Sequence, residues 1–87
     1  MRKTWTDQGW DDYLYWQTQD KRTLRRINEL VRDIERNGPL VGIGKPEALK
    51  GELQGFFSRR IDEKNRLVYF QSPDGARCVI GCRGHYE

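Results

Sequence analysis

Six side chains in the second half of this sequence are of the types that could together break a phosphodiester bond: Glu47, Lys50, Arg60, Arg66, His85 and Tyr86. Cutting RNA without a metal requires a base to remove the 2′-OH proton and cations to hold the pentacoordinate phosphorane. It also requires an acid to protonate the leaving 5′-oxygen. Glu47 is the candidate base, Lys50, Arg60 and Arg66 the candidate cationic cradle, and His85 the candidate acid. Tyr86 offers a ring that can stack on an unpaired base or simply cover the core at the chain end. Isolated Glu, Arg and His residues are mostly solvated surface groups, so the set gains meaning only from a frame that assembles it.

Other chemistries find little support. There is no glycine-rich phosphate loop ending in Lys-Ser or Lys-Thr, and no His-Glu-x-x-His. One histidine excludes an acid–base pair built from two. Asp11 and Asp12 are adjacent carboxylates, but helical neighbours point about 100° apart, which suits favourable first-turn charge better than a metal site. Cys78 and Cys82, if both lie on one strand, share a face roughly 13 Å apart. A disulfide needs Cα atoms within about 7 Å, so two core thiols are expected, with no metal and no cofactor.

The elements that must position these residues follow from 87 residues, enough for one domain spanning 1–87. Three Trp, four Tyr and three Phe supply core material. Net charge is only +3, from 16 basic and 13 acidic residues, yet Arg59, Arg60, Lys64, Arg66, Arg77 and Arg83 crowd the last third. Such local charge fits a polyanion partner or an ordinary solvated surface equally well. Met1–Trp5 lacks the apolar centre of a secretory leader, and no run approaches the ~20 residues of a membrane span. A cytoplasmic protein without membrane contact is the expectation.

Lys3–Thr6 reads as a short strand. Thr6 and Asp7 offer caps for a first helix carrying Trp10, Tyr13, Leu14 and Gln17, and Asp20 caps a second. In that second helix Leu24, Ile27, Val31 and Ile34 form an apolar stripe, ended by Asn37-Gly38-Pro39. Lys21, Arg22, Arg25, Arg26, Arg32 and Arg36 give it a basic outer face, best read as solvated. The short connection implies a helical hairpin. A glycine-bearing loop follows, and Pro46–Lys50 suits one helical turn. From Gly55 the period changes to two: Phe57–Ile61, Arg66–Phe70 and Arg77–Ile80 read as strands, separated by turns at Asp62–Asn65 and Ser72–Gly75. The prediction is an α+β fold, an N-terminal strand and two-helix hairpin packed on an antiparallel sheet. Trp5, Trp10 and Trp16 are assigned to core or dimer packing.

The runs Trp10–Trp16 (WDDYLYW), Gly44–Lys50 (GKPEALK), Gly55–Ile61 (GFFSRRI), Arg66–Tyr69 (RLVY) and the terminal His85-Tyr86 resemble the YoeB (Txe/YoeB) toxins of the RelE-like superfamily. The match runs through nearly the whole chain in order. It implies a microbial-ribonuclease-like α+β fold and a type II toxin–antitoxin system. The implied activity is cleavage of mRNA on the ribosome, with inhibition by a YefM-like antitoxin and a homodimeric toxin. Carried over by position, the resemblance makes Glu47 the base, Arg66 the phosphate-binding arginine, His85 the acid and Tyr86 the adjacent aromatic. Lys50 and Arg60 become supporting RNA-phosphate contacts. Phe57 stands where many relatives have Trp, Asn65 where His is often seen, and Glu87 extends past His-Tyr. The alternative is a ParE-like toxin fold that inhibits DNA gyrase without cutting RNA; a pure binder has no need of the Glu47, Arg66, His85 and Tyr86 set.

Overall fold

Two capping side chains set the helical hairpin. The Thr6 hydroxyl accepts from the Gly9 N–H at 3.1 Å and opens α1 (Asp7–Gln19). Asp20 closes α1 and opens α2 (Lys21–Asn37): its N–H donates to the Trp16 carbonyl, while its carboxylate accepts from the Arg22 N–H and the Thr23 hydroxyl. The Tyr13 hydroxyl donates to Asn28 Oδ1 at 2.7 Å and ties the two helices together. Gly38, at φ 87, ends α2 in a conformation that suits glycine. The computed structural model describes residues 2–84.

Five strands form one sheet in the order β1-β5-β4-β3-β2, from β1 (Lys3–Trp5), β2 (Glu47–Ala48), β3 (Phe57–Arg60), β4 (Arg66–Gln71) and β5 (Arg77–Gly81). The α+β architecture is as expected, with one refinement. The meander β2-β3-β4-β5 is antiparallel, but β1 pairs parallel with β5, so the sheet is mixed. Pro46–Lys50 is not a helical turn. Lys45 takes φ 51, Glu47 and Ala48 pair with Ser58 and Phe57, and the Leu49 N–H donates to the Phe56 carbonyl. The open edge of β3 supplies partners that a lone helical turn lacks, and the helical turn comes later as a 3-10 turn at Gly51–Leu53.

The core lies between α2 and one sheet face, where Ile27, Leu30 and Ile34 meet Leu67, Tyr69 and Val79. Leu30, outside the expected stripe, is fully buried, whereas Leu24 and Val31 are half-buried at its margins. Gly9 presses α1 onto β5: a Cβ there would stand 2.4 Å from the Val79 carbonyl oxygen, which already accepts from the Thr6 N–H. Along β5 the register slips. Tyr69 pairs with Val79 but Val68 pairs with Gly81, leaving Ile80 as a bulge. The bulge turns Cys82 into the core beside Ile27 and Leu30, while Cys78 pairs with Phe70 on the opposite parity. The two free thiols are both buried as expected, but they do not share a face.

Arg59, fully buried, locks the loop after α2. It forms an ion pair with Asp33 and donates to the carbonyls of Gly38, Val41 and Ile43 and to the Tyr69 hydroxyl, which in turn donates to the Pro39 carbonyl. Gly42, at φ 128, is obligatory there, since a Cβ would sit 1.7 Å from Asp33 Oδ2. Replacing Asp33 with Ala strands this buried guanidinium, and urea unfolding at pH 7 is expected to show a loss of about 3–5 kcal/mol. The bond from Arg59 holds the Asp33 carboxyl below its ordinary 3.8, against an opposing push from burial. A depressed folded value stabilises the native state above 3.8 and loses that contribution as pH falls through it. The gap between wild type and Asp33→Ala therefore narrows in acid, and an unchanging gap from pH 7 to pH 3 would count against the ion pair.

Candidate functional site

Strand alternation and register together place three of the six candidate residues on one surface. Phe57, Arg59, Leu67 and Tyr69 point to the helices, so Ser58, Arg60, Arg66 and Val68 point to the opposite face. Glu47 pairs with Ser58 and therefore shares that face. Its position is diagonal to Arg60, which in a regular sheet corresponds to about 7–8 Å. Glu47 and Arg60 are exposed and Arg66 half-buried, so all three are reachable from solvent.

Arg60 and Arg66 are direct cross-strand partners. Their N–H groups point away from one another, Arg60 to the Gly44 carbonyl at 2.7 Å and Arg66 to the Gly84 carbonyl at 2.9 Å. This is the non-hydrogen-bonded kind of pair, in which side chains approach most closely. Like charges so placed repel, and an anion between them relieves the repulsion. Arg66 is held from behind, its Nη1 donating to the carbonyls of Asp62, Glu63 and Asn65. The ion pairs among the described residues are Arg2–Asp74, Lys3–Glu35 and Arg59–Asp33, and neither Arg60 nor Arg66 belongs to one. Beside Arg60 a groove of about 400 Å³ is lined by Arg26, Lys45, Asp62 and Glu63 among others.

Lys50 stands beyond β2 at the head of the 3-10 turn, exposed and outside the paired register. His85 and Tyr86 lie outside the described residues. The chain leading to them is held at each of its three last described positions. The Cys82 N–H donates to the buried Asp12 carboxylate at 3.0 Å, and its carbonyl accepts from the Trp16 indole at 2.8 Å. The Arg83 guanidinium lies 3.6 Å from the centre of the Tyr15 ring. The Gly84 N–H donates to Asn65 Oδ1 at 2.8 Å.

Asp12, Tyr15, Trp16 and Asn65 thus hold the segment that precedes His85, a role that nothing in their sequence spacing reveals. Asp12 was assigned to helix-terminus charge and Trp16 to packing. Trp16 does pack on the core, but neither hydrogen bond to Cys82 leaves a periodic trace. The basic face of α2 is solvated as expected, except that Arg26 reaches the Arg60 carbonyl at 3.5 Å. Among the described residues no group of three or more His, Cys, Asp or Glu is placed to share a metal ion. No helix among them is long and apolar enough to cross a membrane.

Burial, assisted by the Asp12 charge, pushes the Cys82 thiol up to about 12. A thiol needs its thiolate to react, so Cys82 is expected to resist an aromatic disulfide reagent at pH 8 until the protein is unfolded in guanidinium. Rapid labelling in the native state would show that the α1–Cys82 contact is open. Trp16→Phe keeps an aromatic side chain but removes the indole N–H and part of the packing, and should cost at least about 1 kcal/mol of unfolding free energy.

A family model for the YoeB-like toxin of bacterial type II toxin-antitoxin systems matches residues 5–86. Toxin YoeB of Escherichia coli K12 is 51% identical over 86 residues, covering 99% of this chain and 100% of the relative. The YoeB dimer from Staphylococcus aureus superposes with a TM-score of 0.90 at 45% identity, over 99% of this chain and 98% of that one. The heterotetrameric YoeB–YefM toxin–antitoxin complex of the same organism gives 0.89 at 44%, again covering 99% and 98%. The family match spans almost the whole chain, and the fold is of the expected α+β class. This chain therefore belongs to the YoeB-like toxin family of bacterial type II toxin–antitoxin systems.

Proposed function

We propose that this toxin is a ribosome-dependent mRNA endoribonuclease that inhibits translation by metal-independent acid–base cleavage. The observation that carries the reading is the Arg60–Arg66 cross-strand pair, without a carboxylate at ion-pair distance among the described residues, on the same face as Glu47. Two arginines in that relation present several N–H donors to one phosphate, the recognition guanidinium serves best. Glu47 takes the 2′-OH proton, and the 2′-oxygen attacks phosphorus. Arg60 and Arg66, supported by Lys50, hold the doubly charged equatorial oxygens of the phosphorane. The bond to O5′ breaks as His85 donates its proton, leaving a 2′,3′-cyclic phosphate and a free 5′-OH. Tyr86 stacks on a base beside the cut.

Relatives indicate the partners. The Staphylococcus aureus YoeB has been solved as a dimer and in a complex with YefM. By the same reading this chain forms a homodimer in the cytoplasm and is neutralised by a YefM-like antitoxin.

Glu47→Ala and His85→Ala are each expected to fold normally and to lower cleavage by roughly 10²–10⁴-fold, the usual contribution of one acid or base. Stripping the toxin alone with EDTA, then removing the chelator before adding intact ribosomes, should leave the wild-type rate unchanged. Primer extension on mRNA after expression should reveal new ends within translated codons. Wild-type activity in either variant removes that residue from the mechanism, and intact mRNA accompanied by arrested gyrase favours the ParE-like alternative.

A further inference from the structure

We propose that Asp62 and Asn65 form a positioning pair that sets the direction in which the chain enters His85-Tyr86. This rests on the ribonuclease reading, but the contacts themselves do not. Asn65 uses both ends of its side-chain amide. Its Nδ2 donates to the two Asp62 oxygens at 3.2 and 3.1 Å, and its Oδ1 accepts from the Gly84 N–H at 2.8 Å. Asp62 Oδ1 also accepts from the N–H groups of Lys64 and Asn65 at 2.8 and 2.7 Å.

A carboxylate only accepts hydrogen bonds. It therefore compels the NH₂ end of the Asn65 amide to face it, and the carbonyl end to face Gly84. The other backbone group of Gly84 is taken by the next residue, since the Arg66 N–H donates to the Gly84 carbonyl. Two consecutive residues of the β3–β4 corner, Asn65 and Arg66, thus hold both backbone polar groups of Gly84, the residue that precedes His85. Gly84 itself turns at φ 92, a conformation that favours glycine. The corner that presents Arg66 to a phosphate is the same body that holds the approach to the acid. Arg66 and the last described residue before the candidate acid are then tied to one corner of the sheet.

Asp62 is exposed and Asn65 half-buried. Water satisfies such groups nearly as well, so bonds of this kind add little to global stability. Their combined geometry instead removes freedom at one point of the chain, and a general acid placed about 1 Å away from its leaving oxygen can lose 10²-fold in rate. Position 65 is thereby a positioning residue, acting through Gly84 on His85.

The test uses the full chain and steady-state cleavage of a short mRNA on ribosomes. Asn65→Ala should lower kcat about 10²-fold with KM within roughly twofold and an unchanged melting temperature. Asn65→Asp alone should also be impaired, because it sets two carboxylates face to face. The exchange Asp62→Asn with Asn65→Asp restores one donor toward one acceptor and keeps an acceptor for Gly84, so it should recover most of kcat. The chain has one histidine, which makes its imidazole NMR resonance unambiguous. That resonance should move in Asn65→Ala and return in the exchanged pair. Unchanged kcat in Asn65→Ala, a loss that simply follows melting, or no recovery in the exchange overturns the proposal. Should the wild type cut no RNA, the ribonuclease reading fails, and the resonance decides alone: an unmoved His85 signal in Asn65→Ala then overturns the positioning role.

Discussion

A fully buried guanidinium organises this molecule. An isolated charge inside a protein is strongly unfavourable, and it is retained only when its partners are nearly complete. Arg59 meets that condition through Asp33 on α2, three carbonyls of the loop after α2, and the Tyr69 hydroxyl on β4. Helix, loop and two strands are therefore locked by one side chain. The consequence reaches the outer face. Because Arg59 must point inward, alternation sends Arg60 outward, and pairing brings Arg66 beside it. A slip of one residue would exchange the two arginines. It would also turn Phe57 and Ile61 out of the core and Ser58 and Asp62 into it, so the register of the site is enforced from the core.

That dependence explains which parts of the structure were legible in the sequence. Arg59 and Arg60 are chemically identical neighbours, and only the phase of the strand separates a core clamp from an outward-facing side chain. Period-two patterning from Phe57 to Ile61 puts Arg59 and Arg60 on opposite faces of a strand, and the caps at Thr6 and Asp20 are readable because capping needs particular oxygens at particular positions. Three features were not readable, each for a physical reason. The β2 pairing depends on an edge supplied ten residues later, so Glu47 and Ala48 look locally like a turn after proline. The Ile80 bulge reverses parity without any composition signal, and Cys82 was placed on the wrong side of the sheet for that reason. Asp12 differs from Asp11 only in facing β5, and that difference belongs to the packing of α1 through Gly9.

The same packing governs the approach to the chain end. α1 supplies Asp12, Tyr15 and Trp16, while the β3–β4 corner supplies Asn65 and Arg66. Residues 82–84 are thus held from two directions by elements that do not follow one another in sequence. Small proteins cannot dedicate a separate scaffold to a site. Here the hairpin that buries the core also restrains the segment that leads to the candidate acid, so a change in helix packing and a change in site geometry become the same event.

The electrostatic layout fits the proposed polyanion on the open face. With 16 basic and 13 acidic residues, the net field is weak, and attraction must come from where charges are left unpaired. Asp62 lies four residues before Arg66 and within reach of its charge, yet its oxygens face the Lys64 and Asn65 N–H groups and the Asn65 amide. Burial pushes its carboxyl up, but those bonds and the Arg66 charge outweigh it and hold the group below its ordinary value. Asp62 therefore stays ionised at neutral pH while Arg66 keeps its outer nitrogens available. Had the carboxylate closed on Arg66, an incoming phosphate would have to displace it first. Turning Asp62 toward Asn65 gives the anion unopposed access to the arginine pair and, at the same corner, restrains Gly84.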